Sequence, residues 1–233
     1  MDIIEKNETV ISNGKVICGV TVYENEKKSV PMVYLISTEE IGDEIIEKCT
    51  ELGSNVFNMT VITLKEWNEY LSPWEAENII SEHDNFLGKA DIFLDFILKD
   101  VMSYTECALT TTPSESVLVG YSMAGLFSLY SMYKTDQFDR VASVSGSLWY
   151  PKFFDFVKRN KDFNYPKKVY ISLGDGESKT RNGYLKSNEY ITQEIYTRYA
   201  SEGIECEYEI NEGNHFNHVA DRIAKGVTWL LKK

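Results

Sequence analysis

The sequence predicts an α/β fold in which helices cover both faces of a mostly parallel sheet of eight strands. Short apolar runs alternate along the chain with segments whose apolar residues recur at helical spacing, as in repeated βα units. Near the start, Asn13-Gly14 lies between two β-rich runs, so we expect an antiparallel hairpin at the sheet edge. With 233 residues, 43% of them hydrophobic, the chain is long enough for one such core. We therefore predict a single domain over residues 1–233.

The first half of the chain supplies the hairpin and three buried strands. The hairpin strands are expected at 9–12 and 16–23, where β-branched residues predominate. Continuous apolar runs at 32–36, directly after Pro31, and at 57–64 indicate strands buried on both faces, with a helix at about 43–52 between them. Over 90–108, apolar residues recur every three or four positions, which predicts an amphipathic helix leading into a strand at 116–120.

The second half continues this alternation. Strands are expected at 141–145, 168–173 and 206–210, and helices at 122–134, 153–159, about 187–201 and about 217–231. In open parallel sheets the reactive groups collect beyond the carboxyl ends of the strands. The residues that follow each strand are therefore the first candidates for chemistry.

Charge and targeting signals narrow the classes of partner. Lys and Arg total 24 against 36 Asp and Glu, and a net charge of −12 repels nucleic acids and anionic lipids. The N-terminus lacks the basic start and apolar run of a secretory signal, and no segment reaches the roughly 18 apolar residues of a membrane span. We expect a soluble, cytoplasmic protein that acts on a small molecule and binds neither nucleic acid nor membrane.

The cysteines give no sign of a metal or redox site. Cys18, Cys49, Cys107 and Cys206 are far apart and form no CxxC pair. We expect four buried free thiols, no metal and no cofactor.

A serine stands where the strand at 116–120 breaks into a helix. Such a sharp turn holds Ser122 in a strained backbone conformation, lifts its hydroxyl out of the sheet and places a helix N-terminus beneath it. Small residues are needed two positions before and after the serine, because strand and helix approach closely there. Gly120 meets the first requirement, while Ala124 replaces the usual second glycine and Gly125 follows. The simpler alternative is a serine that caps an ordinary helix.

A serine nucleophile needs a histidine base from later in the chain. His215 lies between the last strand and the last helix, where a loop would present it, and is the favoured base. His218, one turn further on, is the alternative and fits a first-turn helix residue better. His83 precedes the serine in a polar stretch and is interpreted as a surface histidine.

The acid and the oxyanion donors are less narrowly defined. The strand at 168–173 is followed by two carboxylates, of which Glu177 is favoured as the triad acid and Asp175 is the alternative. An Asp-Gly pair is also a common turn, so Asp175 could form the bend that presents Glu177. The N–H of Met123 is the expected first oxyanion donor, and the backbone of Ser37 or Thr38 the second.

These motifs resemble those of the putative esterase family, which includes esterase D-like and enterochelin (siderophore) esterase-like proteins and is a branch of the α/β hydrolases. The resemblance covers nearly the whole chain and rests on five segments, residues 71–74, 120–125, 143–149, 174–177 and 213–216. It implies an α/β-hydrolase fold and a triad of Ser122, His215 and Glu177 or Asp175.

About twenty residues separate the strands at 141–145 and 168–173, too few for a large cap domain, so we expect an open site. The longer insertion at 67–89 is rich in aromatic residues. Tyr121, Trp74, Trp149 and Phe216 are candidates for the walls of a substrate pocket, although packing over the sheet is the simpler explanation for any one of them.

Three functions are consistent with these residues. The favoured one is a serine esterase that cleaves carboxylic esters through an acyl-enzyme intermediate without a cofactor. An acyltransferase would pass the same acyl group to another alcohol. A non-catalytic binding protein would retain only the fold. The sequence leaves the natural ester and the oligomeric state open.

Overall fold

The structure, a computed structural model, describes residues 3–77, 79–80, 85–160, 162–164 and 166–232. Its strands are β1 (Ile3–Ser12), β2 (Ile17–Asn25), β3 (Met32–Ser37), β4 (Asn58–Thr63), β5 (Glu75–Ala76), β6 (Phe86–Leu87), β7 (Ser116–Tyr121), β8 (Arg140–Val144), β9 (Lys168–Gly174) and β10 (Glu205–Asn211). Its helices are α1 (Gly42–Glu51), α2 (Trp67–Tyr70), α3 (Ala90–Phe96), α4 (Met102–Ala108), α5 (Met123–Ser131), α6 (Phe153–Arg159), α7 (Gly183–Ser201) and α8 (Val219–Leu231). His83 lies outside the described residues, so the expectation of a surface histidine stays a prediction.

Eight of the strands form one sheet in the order β1-β2-β4-β3-β7-β8-β9-β10. The pairs β1–β2 and β2–β4 are antiparallel, and every later pair in that order is parallel. This confirms the predicted mostly parallel sheet with an antiparallel hairpin at its edge. The short strands β5 and β6 form a separate antiparallel ladder in the insertion, which the sequence pattern did not predict.

The hairpin turn is longer than a two-residue Asn-Gly turn. Ser12 pairs with Ile17, so four residues form the loop. The side-chain oxygen of Asn13 accepts hydrogen bonds from the N–H groups of Lys15 and Val16, at 3.1 Å each, and Gly14 takes a φ of +81°. An asparagine that satisfies two backbone donors makes this turn self-contained.

The core has one hydrophobic layer on each face of the sheet. Alternate residues of β7 point to opposite faces, with Leu118 packing in one layer and Val117 and Val119 in the other. The first layer receives apolar side chains from α3, α5, α6 and α7, and the second receives those of α1 and α8. The predicted helices on both faces are confirmed. Only α6 lies between β8 and β9 among the described residues, so no large cap is built there.

Four helices differ from their predicted extents, and one of them, α5, ends at Ser131 instead of 134. A π-helical segment, Ile97–Val101, separates α3 from α4 within the helix expected over 90–108. Helix α7 begins earlier than expected because the side chain of Asn182 caps it, accepting from the N–H groups of Tyr184 and Leu185. Helix α8 begins at Val219 because His218 adopts a left-handed conformation with φ of 55°.

The prediction of four buried thiols is wrong for two cysteines. Cys18 and Cys49 are buried, whereas Cys107 is exposed on the last turn of α4 and Cys206 is half-buried on the edge strand β10. All four are free thiols. Across the described ranges, no helix is both long enough and apolar enough to cross a bilayer.

Candidate active site

Ser122 occupies the single-residue junction between β7 and α5. Its φ of 59° and ψ of −121° lie in a region that residues with a side chain rarely adopt. Its N–H donates to the carbonyl of Val144 at 3.0 Å, and its own carbonyl accepts from the N–H of Ser147 at 3.0 Å. A β-carbon at Gly120 would lie only 2.1 Å from the carbonyl oxygen of Ala124. The turn therefore has the strained, closely packed geometry expected of a nucleophile elbow.

The side chains of Ser122, His215 and Glu177 form a continuous hydrogen-bonded chain. His215 Nε2 lies 2.9 Å from Ser122 Oγ, and His215 Nδ1 lies 2.8 Å from Glu177 Oε2. With an ionised carboxylate as its acceptor, Nδ1 carries the proton, which leaves Nε2 free to accept the hydroxyl proton of Ser122. This is the arrangement in which a serine can be deprotonated as it attacks.

Glu177 is placed to remain charged. Its side chain is only 5% exposed, and its Oε1 accepts from the N–H of Gly174 at 2.7 Å and from Arg222 Nη1 at 3.0 Å. Burial by itself raises the pKa of this carboxyl, but the hydrogen bond and charge of His215, with the donors of Gly174 and Ser145, bring the pKa below its ordinary value. An ionised acid stabilises the imidazolium that forms when His215 takes a proton.

Asp175 lies on the same turn but serves a different group. Its carboxylate accepts from the N–H of Gly213 at 2.9 Å, and its own N–H donates to the carbonyl of Asn211 at 2.8 Å. The N–H of Glu177 donates to the carbonyl of Gly174 at 3.1 Å, which closes the bend over Asp175. The structure brings Glu177 to the imidazole and directs Asp175 to the backbone of the histidine loop.

The other described histidine does not join this chain of contacts. His218 precedes α8, its side chain is 65% exposed, and its Nδ1 lies 3.8 Å from Asp221 Oδ2. Its left-handed backbone places it outside the helix, contrary to the expected first-turn position.

The candidate oxyanion donors lie at the ends of β3 and β7. Met123 is the first residue of α5, so its N–H has no acceptor within the helix. Ser37 ends β3 and still pairs with Thr63 of β4. Thr38 follows beyond the ladder, is exposed, and lines a surface cleft of about 620 Å³. Ser37 and Thr38 are both candidates for the second donor.

Two of the four candidate pocket residues flank the imidazole. The hydroxyl of Tyr121 donates to the carbonyl of His215 at 2.7 Å, and the two rings are 5.4 Å apart. The ring of Phe216 meets the His215 ring edge-on at 5.3 Å, and Phe216 is 85% exposed. An exposed aromatic side chain beside the imidazole is available to a ligand.

The tryptophan Trp149 packs into the protein, whereas Trp74 is half-buried and lines a surface cleft of about 660 Å³. Trp149 is only 6% exposed and lies 6.3 Å from the ring of Phe86. The indole N–H of Trp74 donates to the carbonyl of Pro151 at 2.9 Å, and its ring packs against Tyr150. The burial of Trp149 fits the simpler explanation, packing over the sheet, and the role of Trp74 as a pocket wall stays a prediction.

Three residues near Ser122, His215 and Glu177 were not assigned a role from the sequence. Ser147 Oγ lies 3.3 Å from Ser122 Oγ, and Ser145 accepts from Arg222 Nη1 at 3.1 Å. Arg222 is buried on α8. In the sequence, the feature that could have drawn attention to it is a charged residue on the face that this helix buries, the same face as Gly226 four residues later. Within the described part of the chain, no three His, Cys, Asp or Glu side chains are grouped as metal ligands.

Comparison with known proteins identifies the family. The profile of the family described as Putative esterase matches residues 18–218. Uncharacterized protein YbbA of Bacillus subtilis (strain 168) is 22% identical over an alignment of 229 residues, and the match covers 91% of this chain and 89% of that protein. The siderophore hydrolase EstA from Aspergillus nidulans has a TM-score of 0.79 at 17% identity, covering 97% of this chain and 93% of that one. An IroE-like serine hydrolase from Shewanella oneidensis has a TM-score of 0.80 at 20% identity, covering 97% and 80%.

The matched range includes Ser122, Glu177 and His215, and the structural likenesses extend over almost the whole chain. They confirm the resemblance and the fold predicted from the sequence. The chain belongs to the Putative esterase family and is a carboxylic ester hydrolase with an α/β-hydrolase fold.

Proposed function

We propose that this protein cleaves small-molecule carboxylic esters by a triad of Ser122, His215 and Glu177, through an acyl-enzyme intermediate. The observation that carries the proposal is the unbroken chain of contacts, 2.9 Å from Oγ to Nε2 and 2.8 Å from Nδ1 to Oε2. Both distances are those of hydrogen bonds along which a proton can move.

Acylation begins when the Ser122 oxygen attacks the ester carbonyl while His215 accepts its proton. The carbonyl oxygen becomes an anion, which the N–H of Met123 and a second N–H from Ser37 or Thr38 stabilise. Loss of one such donor costs on the order of 3 kcal/mol of transition-state stabilisation. The imidazolium then protonates the departing alcohol, so the ester C–O bond breaks and an acyl-serine remains.

Deacylation repeats these steps with water. The oxygen of a water molecule attacks the acyl-serine while His215 removes a proton from that water. His215 then returns the proton to Ser122 as the acid leaves. The balance is one ester and one water to one acid and one alcohol. The side chain of His215 is 29% exposed, which gives water access to it.

The surroundings of the triad support a small ester that is neutral or cationic. The net charge of −12 disfavours polyanionic substrates, and Tyr121 and Phe216 offer aromatic surfaces beside His215. The similar Aspergillus nidulans protein is a siderophore hydrolase, so a siderophore ester is one candidate substrate for this chain. Added acceptor alcohols test the acyltransferase alternative, because a transferase would form a new ester in place of the free acid.

A fluorophosphonate probe followed by peptide mapping tests the nucleophile. We expect the label on Ser122, and Ser122→Ala should lose both labelling and on the order of 10⁴ or more in turnover of p-nitrophenyl acetate. Ser201→Ala, at an exposed serine on α7, is the matched control and should change neither. Label on another residue, or unchanged turnover in Ser122→Ala, would reject the assignment.

A further inference from the structure

We propose that Arg222 is a positioning residue of this site. Its buried guanidinium binds both the Glu177 carboxylate and the loop that carries His215, and so fixes the position of one relative to the other. The inference rests on the proposed function, because it assigns a role within the same triad. Arg222 touches no reacting atom and acts only through its neighbours.

The contacts of Arg222 divide between its two terminal nitrogens. Nη1 donates to Glu177 Oε1 at 3.0 Å and to Ser145 Oγ at 3.1 Å. Nη2 donates to the carbonyls of Glu212 at 2.8 Å and Asn214 at 3.0 Å. One rigid, planar group therefore joins the ends of β8 and β9 to the loop after β10.

These contacts fix both partners of the Glu177–His215 hydrogen bond. Nη1 holds one oxygen of Glu177 while the other oxygen accepts from the imidazole. Nη2 holds the carbonyl of Asn214, the residue directly before His215. Tyr121 links the guanidinium to the same loop, since its hydroxyl donates to the His215 carbonyl and lies 3.4 Å from Nη1.

Besides the guanidinium, the histidine loop is held by hydrogen bonds of Gly213 with Asp175 and Gly176, and by the Tyr121 hydroxyl, which donates to the carbonyl of His215. Glu212, Asn214 and Phe216 are all exposed, so the loop makes little of its own hydrophobic core. Gly213 takes a φ of +99°, a conformation that few other residues would adopt. The guanidinium adds to these contacts a buried cation that binds two carbonyls of a loop which must place an imidazole within hydrogen-bond distance of Ser122.

The buried charge of Arg222 is compensated by the groups that it binds. The side chain is only 1% exposed, and a buried charge is strongly unfavourable unless it is paired and hydrogen-bonded. The fold leaves room for it, because a β-carbon at Gly174 would lie 2.7 Å from Nη2. An apolar side chain could fill the same space on α8, but it could not hold a carboxylate and two carbonyls.

Removal of the guanidinium should slow the chemistry without weakening substrate binding. We expect Arg222→Met to lower kcat by about 10²-fold, the loss that a displacement of about 1 Å among catalytic groups produces. KM should stay within about twofold, because a side chain buried beneath the loop does not touch substrate. Arg222→Lys should give an intermediate kcat, since an ammonium retains the charge beside Glu177 but lacks the planar fork.

The experiment compares the wild type with Arg222→Met, Arg222→Lys and Arg140→Met. Arg140 is the matched control, because it is also largely buried and paired with a carboxylate, Glu115, and a backbone carbonyl, that of Leu230, but lies at the amino end of β8. The measurements are kcat, KM, the denaturation midpoint and the low-field proton resonance of His215 Nδ1, which reports its hydrogen bond to Glu177 without substrate. We expect that resonance to shift or broaden in both Arg222 variants and to stay unchanged in Arg140→Met.

Each outcome decides the proposal. Wild-type kcat and an unchanged resonance in a folded Arg222→Met would overturn it, as would an equal kcat loss in Arg140→Met, which would indicate general destabilisation. Should Arg222→Met fail to fold, the kcat and resonance of Arg222→Lys decide in the same way. Ser122→Ala separates this inference from the proposed function. Activity retained by Ser122→Ala rejects the triad itself, whereas activity lost there and retained in Arg222→Met rejects only the role of Arg222.

Discussion

The narrowest contact at the elbow lies between Gly120 on β7 and Ala124 on α5, and Gly120→Ala would fill it. A β-carbon at position 120 would lie 2.1 Å from the carbonyl oxygen and 2.2 Å from the carbonyl carbon of Ala124. Real β-carbons essentially never approach closer than 3.0 Å and ordinary contact begins at 3.4 Å, so strand and helix must separate by at least 3.0 minus 2.1, or 0.9 Å, and by 3.4 minus 2.1, or 1.3 Å, for full relief. Both obstructing atoms belong to the backbone, so no side chain can rotate to relieve the contact. Ser122 lies between the two elements and must move with them.

This displacement should affect stability and catalysis together. Overpacking of this kind destabilises a protein by about 1–3 kcal/mol. A shift of about 1 Å in Ser122, the proposed nucleophile, should lower kcat by about 10²-fold. The assay is p-nitrophenyl acetate turnover together with urea denaturation, measured where Gly120→Ala is still fully folded.

Ala124→Gly provides the control and sharpens the test. It removes the methyl group that a β-carbon at position 120 would approach to 2.8 Å, and costs up to about 1 kcal/mol in helix propensity. We expect it to retain near wild-type kcat, and the double variant to stay as slow as Gly120→Ala, because the obstruction is the Ala124 carbonyl. Full kcat in Gly120→Ala, or rescue by the double variant, would refute this reasoning.

Three further predictions concern the acid and the thiols. Glu177→Gln should lower kcat by about 10⁴-fold, since the neutral amide cannot orient the imidazole or stabilise its charge. Asp175→Asn should lower kcat by less than about tenfold. Equal losses of kcat in steady-state assays of the two variants would contradict the assignment of Glu177 as the acid. The pKa of Glu177 is lowered on folding, so its contribution to the free energy of unfolding is present above the unfolded value of about 4.3 and is lost as the pH falls through the folded one. Urea titrations at pH 5 and pH 3 should therefore show a larger loss for the wild type than for Glu177→Gln, and parallel losses would argue against this linkage. In the native protein a thiol reagent should label the exposed Cys107 and spare Cys18 and Cys49, because burial raises the pKa of the Cys18 and Cys49 thiols to about 12. Peptide mapping identifies the labelled residues. Rapid labelling of Cys49 would contradict its burial in the core.

The fold could be predicted because its main signals are local. Apolar runs and helical spacing identify buried strands and amphipathic helices without knowledge of their neighbours. The ends of helices were less predictable, since they depend on single side chains and backbone angles. Asn182 caps α7 through its side-chain oxygen, and His218 delays α8 by a left-handed conformation. The ladder of β5 and β6 has two residues per strand, too few to produce a periodic pattern.

The choice between two carboxylates shows what the sequence could not supply. Asp175 and Glu177 both follow β9, and spacing alone allows either to face the imidazole. Asp175 continues the parallel ladder for one more residue, donating its N–H to the carbonyl of Asn211, so its side chain stays beside the β10 loop. The chain then bends, and Glu177 returns over the end of β9 with its Oε1 on the N–H of Gly174. The direction of each carboxylate is thus set by where the ladder ends, which depends on pairing with a strand some forty residues away.

Arg222 marks a deeper limit, because hydropathy patterns treat a charged residue as a sign of exposure. On α8 that assumption fails, since the charge lies on the buried face and its partners come from three other segments of the chain. Ser145 follows β8, Glu177 lies on the turn after β9, and Asn214 belongs to the loop that carries His215. A buried cation is stable only where a carboxylate and several oxygens converge, and in a parallel sheet such convergence occurs at the carboxyl ends of adjacent strands. A lone charge on the apolar face of the helix that follows a candidate catalytic histidine therefore indicates which side chain to test next for a role in placing that histidine.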